Sequence, residues 1–218
     1  MAPLLARPSA RVRSFDTWVD AAFDRLRGRA AIDRLFYAAS ELGDFSLVWL
    51  ILGGLRGLRS ERDWGAAVRM GVGVGVESFL VNAVIKSFFR RARPPWDVDR
   101  PRRLRQPRTS SFPSGHATSS SVAAILLSED DPLWPLYGAV AAVVASSRVY
   151  VRIHHASDVL AGLALGVGLG IVGRRVMPLP HPEPGPAVPG PAVPGLAVRG
   201  PATTREATSQ IQVPAGVS

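Results

Sequence analysis

The chain contains no cysteine, which excludes disulfides, zinc–thiolate sites and thiol chemistry. Acidic residues are the minority, 17 against 26 Lys and Arg, and no cluster of carboxylates offers itself as a metal site. The opening segment, MAPLLARPSARVRSFD, lacks an apolar run long enough for the core of a cleaved signal peptide.

What is present is 218 residues, enough for one domain and a tail. Hydrophobic residues make up 47% and charged residues 20%, but the charges are clustered. They leave apolar windows at about Leu35 to Leu55, Ala66 to Phe89, Phe112 to Leu127, Pro132 to Tyr150 and Val159 to Met177. A spanning helix needs about 20 mostly apolar residues. All but the third window approach that length, so the Ser-rich start of the third is expected to be covered by protein. Glu41, Asp44, Arg69, Glu77 and Lys86 fall within the first two windows and are expected to face the bundle interior. Glycine patterns at 71–78 (GVGVGVES) and 161–173 (AGLALGVGLGIVG) predict close helix packing.

The expected fold is therefore all-α, an integral membrane helical bundle of about five transmembrane helices occupying residues 35–177. A basic segment, 1–34, precedes it. Phe15, Trp18, Val19, Ala22, Phe23 and Leu26 recur there at helical spacing opposite Asp16, Asp20 and Asp24, which predicts an amphipathic helix on the membrane surface or on the domain. Residues 178–218 repeat PGPAV-like pentads and are expected to be a disordered Pro/Gly-rich tail.

Chemistry-bearing residues gather at three window boundaries. The first is Lys86, followed by Arg93-Pro94. On a helix running through both, the two cations point to one side; the plain alternative is a stop-transfer charge cluster. The second is Pro113-Ser114-Gly115-His116. Ser114 is a good N-cap, Gly115 allows close approach of backbone to ligand, and free N–H groups at a helix start attract anions. The alternative is an ordinary cap with a satisfied histidine. The third is Ser147-Arg148, then His154 and Asp158. Four residues apart on one helix face, the carboxylate can hold the imidazole in one tautomer; the alternative is a solvated cap. Together, the cations and the helix start suit a phosphate-like oxyanion, and two histidines in separate clusters suit a nucleophile and a general acid.

In order and spacing, K-x6-RP, PSGH and SR-x5-H-x3-D, these segments resemble the type 2 phosphatidic acid phosphatase family, which shares its site with vanadium haloperoxidases and bacterial class A acid phosphatases. The resemblance covers about residues 35–177. Membrane members often have six spanning helices, whereas this chain offers five, with the amphipathic segment in place of the first. The resemblance implies that His154 attacks phosphorus, Asp158 orients it, and His116 protonates the leaving alkoxide and then activates water. It gives Lys86, Arg93, Arg148, Ser114 and the Gly115 N–H the phosphoryl oxygens, with no metal and no cofactor. His155 also reaches Asp158, at i+3, but the family spacing selects His154.

The expected activity is hydrolysis of the terminal phosphate of a lipid or polyprenyl phosphate. The alternatives are a vanadate-dependent haloperoxidase or an inactive membrane protein. The expected partners are that substrate and the bilayer, not nucleic acid, and the expected location is multi-pass in a bacterial inner membrane. Arginines concentrate in the N-terminal segment and at 90–108, so positive-inside logic places the site on the cytoplasmic side and the tail outside.

Overall fold

A computed structural model describes residues 8–95, 104 and 109–180; the pentad tail and most of the arginine-rich 96–108 loop lie outside the described residues. The described residues are helical, without strands. The amphipathic segment forms α1, Ala10–Asp24, with the Ser9 side chain accepting from Val12 N at 3.3 Å. Its Val19 and Phe23 pack on the domain, whereas Trp18 is 70% exposed. Asp16, expected on the polar face, is buried instead.

The first apolar window is not one straight helix. It divides into α2, Ala30–Leu42, and α3, Leu47–Gly57, bent by 74°. Between them Phe45 and Ser46 have positive φ, 54° and 57°, a region that L residues occupy only when surrounding packing holds them there. Gly43 starts the bend because nothing larger fits: a Cβ there would stand 2.8 Å from His116 Cδ2 and 2.9 Å from Val144 Cγ1. Glu41, expected inside, is exposed, while Arg69, Glu77 and Lys86 are buried.

The second window is α4, Glu61–Phe79, begun by a Ser60 cap on Asp63 N at 3.1 Å. A π turn, Leu80–Val84, and a 3₁₀ turn, Ile85–Phe88, continue it. The remaining helices are α5, Gly115–Leu127, α6, Trp134–Tyr150, and α7, Ala156–Val176. Glu61–Phe88 and Ala156–Val176 are long and apolar enough to cross a membrane, and the bent α2–α3 pair makes a third candidate. At 13 residues α5 is shorter than the roughly 20 of a span, and α6, at 17, lies at the lower limit, so the count of clear spans differs slightly from the expected five. Burial explains α5: nearly all of Ala117–Leu127 is covered by protein, so its serines never meet lipid.

Glycines let α5 and α7 approach at backbone distance. A Cβ on Gly162 would lie 2.5 Å from Ser114 O, one on Gly170 would lie 2.9 Å from Ile125 Cβ, and Gly166 sits against Thr118 O. This contact holds Ser114, at the start of α5, beside the start of α7. At the opposite end of these helices, the acidic turn 128–131 gathers arginines. Arg69 pairs with Glu129 at 2.7 Å, Arg62 with Asp130 at 2.5 Å and Arg56 with Asp131 at 3.3 Å, while Arg59 also pairs with Asp131.

Candidate active site

The turn joining α6 to α7 builds the centre. Ile153 N and His154 N both donate to Arg148 O, at 3.1 and 3.0 Å, so the chain wraps tightly over the end of α6. Arg152 takes a positive φ of 52°. Its guanidinium reaches Asp20 at 3.4 Å and Asp24 at 2.6 Å on α1. His154 thus precedes α7 rather than starting it, and the i+4 helix geometry expected for His154 and Asp158 is replaced by a turn. Asp158 is the third residue of α7, and its Oδ2 accepts from His155 N at 3.0 Å in a capping box.

His154 Nδ1 stands 3.7 Å from Asp158 Oδ2, beyond hydrogen-bond reach. Ser111 fills the gap: its hydroxyl donates to Asp158 Oδ2 at 2.5 Å and lies 3.4 Å from His154 Nδ1. The other ring nitrogen, Nε2, faces Arg93 Nη1 at 3.1 Å. Near-complete burial is the main cause that pushes the imidazole down, to about 3, and the nearby Arg93 and Arg148 act in the same direction. His154 is therefore a neutral ring with a lone pair, the form a nucleophile requires.

A cavity of about 600 Å³ opens beside it, lined by Lys86, Arg93, Gly115, His116, Arg148 and His154 among others. Lys86 and Arg93 reach it from different segments, a 3₁₀ turn and a loop, and not from one helix face. The Lys86 ammonium donates to Asn82 Oδ1 at 2.9 Å, and Arg93 Nη1 also donates to Ile153 O at 3.0 Å. Arg148 is anchored by Ser40, its Nη1 donating to Ser40 O at 3.3 Å and to the Ser40 hydroxyl. Ser114 is the N-cap residue of α5, yet its side chain makes no capping bond. Ser114 Oγ, Arg93 Nε and Arg148 Nε are all buried without a hydrogen-bond partner among the described residues. Buried polar groups ordinarily find partners. One hydroxyl and two guanidinium edges beside a helix start match an oxyanion carrying several acceptor oxygens.

His116 lies in the first turn of α5, as expected, and its Nε2 meets Asp44 Oδ1 at 2.9 Å. Asp44 comes from the α2–α3 bend. With Nε2–H donating to Asp44, Nδ1 is the ring nitrogen left for proton transfer. His155, the rival nucleophile, turns away: its Nε2 lies 3.2 Å from Ala92 O.

Sequence reasoning missed Arg91 and Asp16. Arg91 Nη1 donates to Asp158 Oδ1 at 2.6 Å and to Ser157 Oγ at 2.8 Å, while its Nη2 donates to Asp16 Oδ2 at 2.6 Å. Asp16 also accepts from Ser157 N at 2.8 Å and Ser157 Oγ at 2.9 Å. The amphipathic helix is thereby fastened to the first turn of α7. The signal available in the sequence was slight, an aspartate next to Phe15 and two residues before Trp18.

The sequence profile of the PAP2 superfamily matches residues 66–180. Decaprenylphosphoryl-5-phosphoribose phosphatase of Mycobacterium tuberculosis is 35% identical over 144 residues, covering 61% of this chain and 73% of that protein. Undecaprenyl-diphosphatase of Sulfolobus acidocaldarius is 41% identical over 95 residues, 42% of this chain and 46% of that one. The crystal structure of a transmembrane PAP2-type phosphatidylglycerolphosphate phosphatase from Bacillus subtilis superposes with a TM-score of 0.60 at 25% identity, covering 77% of this chain and 87% of that one. These relatives are phosphatases, which sets aside the haloperoxidase reading.

Proposed function

Because this chain belongs to the PAP2 superfamily and is a membrane lipid phosphatase, we propose that it removes the terminal phosphate of a polyprenyl-phosphoryl sugar phosphate through a phosphohistidine at His154. The observation that carries this reading is His154 itself: a buried, neutral imidazole with Nδ1 toward Ser111 and Asp158 and Nε2 toward the cation-lined cavity.

Arg93 Nη1 donates to the same Nε2 lone pair that must attack. Phosphate binding draws that guanidinium onto its own oxygens and so uncovers the nucleophile. Lys86, Arg93, Arg148, Ser114 and the Gly115 N–H hold the phosphoryl oxygens and stabilise charge as it develops. The Nε2–phosphorus bond forms as the ester P–O bond breaks, and the leaving oxygen takes its proton from His116. In the second step His116 takes a proton from water, the water oxygen bonds to phosphorus, and phosphate leaves His154 free. Ser111 and Asp158 hold the Nδ1 proton throughout. The protein's own cations supply the positive field in both steps.

The substrate class follows from the M. tuberculosis relative, of which this chain covers 73%. The lipid chain has a place to lie: an apolar groove between α2 and α6, lined by Leu35, Ala39, Leu42, Val140 and Val143. Its lining includes Val144, which, like His116, stands against Gly43. The enzyme belongs, on this reading, to a bacterial inner membrane as a multi-pass protein.

The test is phosphate release from a panel of lipid phosphates by detergent-purified protein in EDTA. Release from the polyprenyl-phosphoryl ribose phosphate is expected, with none from His154→Ala. With p-nitrophenyl phosphate, whose leaving group needs little protonation, His116→Ala should accumulate an alkali-stable, acid-labile phosphoenzyme. Release from no substrate would leave the chain an inactive relative. Loss of activity in EDTA would overturn the metal-free chemistry.

A further inference from the structure

Glu77 lines the same cavity and has no place in the chemistry above. It stands on α4, 2% exposed, and its Oε1 is buried without a hydrogen-bond partner among the described residues. As a phosphate ligand an ionised carboxylate is unsuited, because it repels the oxygens that Lys86 and Arg93 attract. Lys86 lies close enough to act on it through charge, but its ammonium gives its hydrogen bond to Asn82 Oδ1, at 2.9 Å. Asn82 uses its amide nitrogen on Ser78, reaching the carbonyl at 3.0 Å and the hydroxyl at 3.2 Å. Both Ser78 and Asn82 line the cavity beside Glu77.

The π turn Leu80–Val84 intervenes between Glu77 and Lys86. Such a turn shifts the residues after it around the helix axis relative to those before it, and π turns recur at functional sites. Asn82 thus links Lys86 to Ser78, the residue that follows Glu77.

What a buried carboxylate in a binding cavity accepts is a hydrogen bond, and the neutral donors a lipid headgroup offers are hydroxyls. We propose that Glu77, with Ser78 beside it, is a specificity-determining subsite for a hydroxyl-bearing leaving group: a sugar or polyol standing between the scissile phosphate and the lipid chain. The hydroxyls next to the ester donate to Glu77 while the phosphate lies among Lys86, Arg93 and Arg148. A substrate lacking them leaves the carboxylate buried and unpaired, and is disfavoured for that reason.

The inference rests on the phosphatase reading but fails separately from it. The measurement is kcat/KM for two lipid phosphates in detergent, one with free hydroxyls beside the ester (phosphatidylglycerol phosphate or a polyprenyl-phosphoryl ribose phosphate) and one without (phosphatidic acid). Wild type should prefer the first, and Glu77→Leu should cut that preference by up to about tenfold, the size expected for loss of a buried hydrogen bond. Glu77→Gln, nearly isosteric and still an acceptor, should keep part of the preference and guards against misfolding of the leucine variant. An equal fall on both substrates, or a wild type without preference, overturns the proposal. Activity on neither substrate overturns the phosphatase reading instead.

Discussion

Asp16, on α1, and Asp158, beside His154, share one guanidinium: Arg91 holds both at 2.6 Å. All three side chains are nearly inaccessible, so removing one charge leaves the others poorly compensated. Asp16→Asn keeps the shape and removes the charge. It is expected to lower kcat by roughly tenfold or more, the scale of one charged hydrogen bond, with KM little changed. Asp16→Glu should restore part of the loss. A fall in thermal midpoint with kcat intact would assign Asp16 to folding alone.

His116 and Asp44 pose a similar question at the proton-donating side. Asp44 steadies the imidazolium that protonates the leaving oxygen. Asp44→Asn should therefore depress phosphoenzyme formation from an alkyl phosphate, a poor leaving group, by about ten- to a hundredfold, and affect phosphoenzyme formation from p-nitrophenyl phosphate far less. Equal losses on both would show that Asp44 acts on the bend and not on the proton.

Burial of neutral His154 has a consequence for stability. Its pKa falls to about 3 in the folded protein, against about 6.5 in an unfolded chain. Between these values the unfolded state binds a proton that the folded state does not, so stability declines as pH falls from about 6.5 toward 3. The slope is at most about 1.4 kcal/mol per pH unit, and above about 6.5 the effect vanishes. In detergent, the thermal midpoint of wild type should drop more between pH 8 and pH 5 than that of His154→Gln. Parallel declines would refute this assignment.

Gly166 carries the α5–α7 contact against Thr118 O and Ser121. Gly166→Leu forces the helices apart, and overpacking of this kind costs about 1–3 kcal/mol. Because Ser114 and Asp158 meet across the same contact, Ser114 N donating to Asp158 O at 3.1 Å, activity should fall along with the thermal midpoint. Gly168, where a Cβ would meet nothing within 4 Å, is the matched control: Gly168→Leu should leave both close to wild type.

The residues proposed to hold phosphate, and the histidines, were legible as candidates because each belongs to a fixed spacing at a window boundary. His154, His116 and the three cations line one cavity, and Asp158 lies just behind it. The local geometry was less legible. Periodicity does not register a left-handed residue such as Arg152 or Phe45, so it places His154 on a helix and runs α2 and α3 together. The supporting residues were hidden for a different reason. Asp16 shares the helical row of Asp20 and Asp24, and only the arrival of Arg91 and Ser157 distinguishes a buried carboxylate from a solvated one. Ser111, one residue before Phe112, carries no spacing rule at all. Glu77 looks like any ionisable group in an apolar window until its partners are counted.

Apart from the histidines, every other basic side chain in this sequence is arginine; Lys86 is the only lysine. Its ammonium is tucked beside the phosphate cavity, donating to Asn82, and it is the one side-chain amine available for acylation or imine formation. Amine-directed reagents consequently have a single internal address in this protein. The fraction of Lys86 they modify, read by mass spectrometry, reports directly how fully the cavity is occupied by phosphate, vanadate or substrate, with no reporter group introduced.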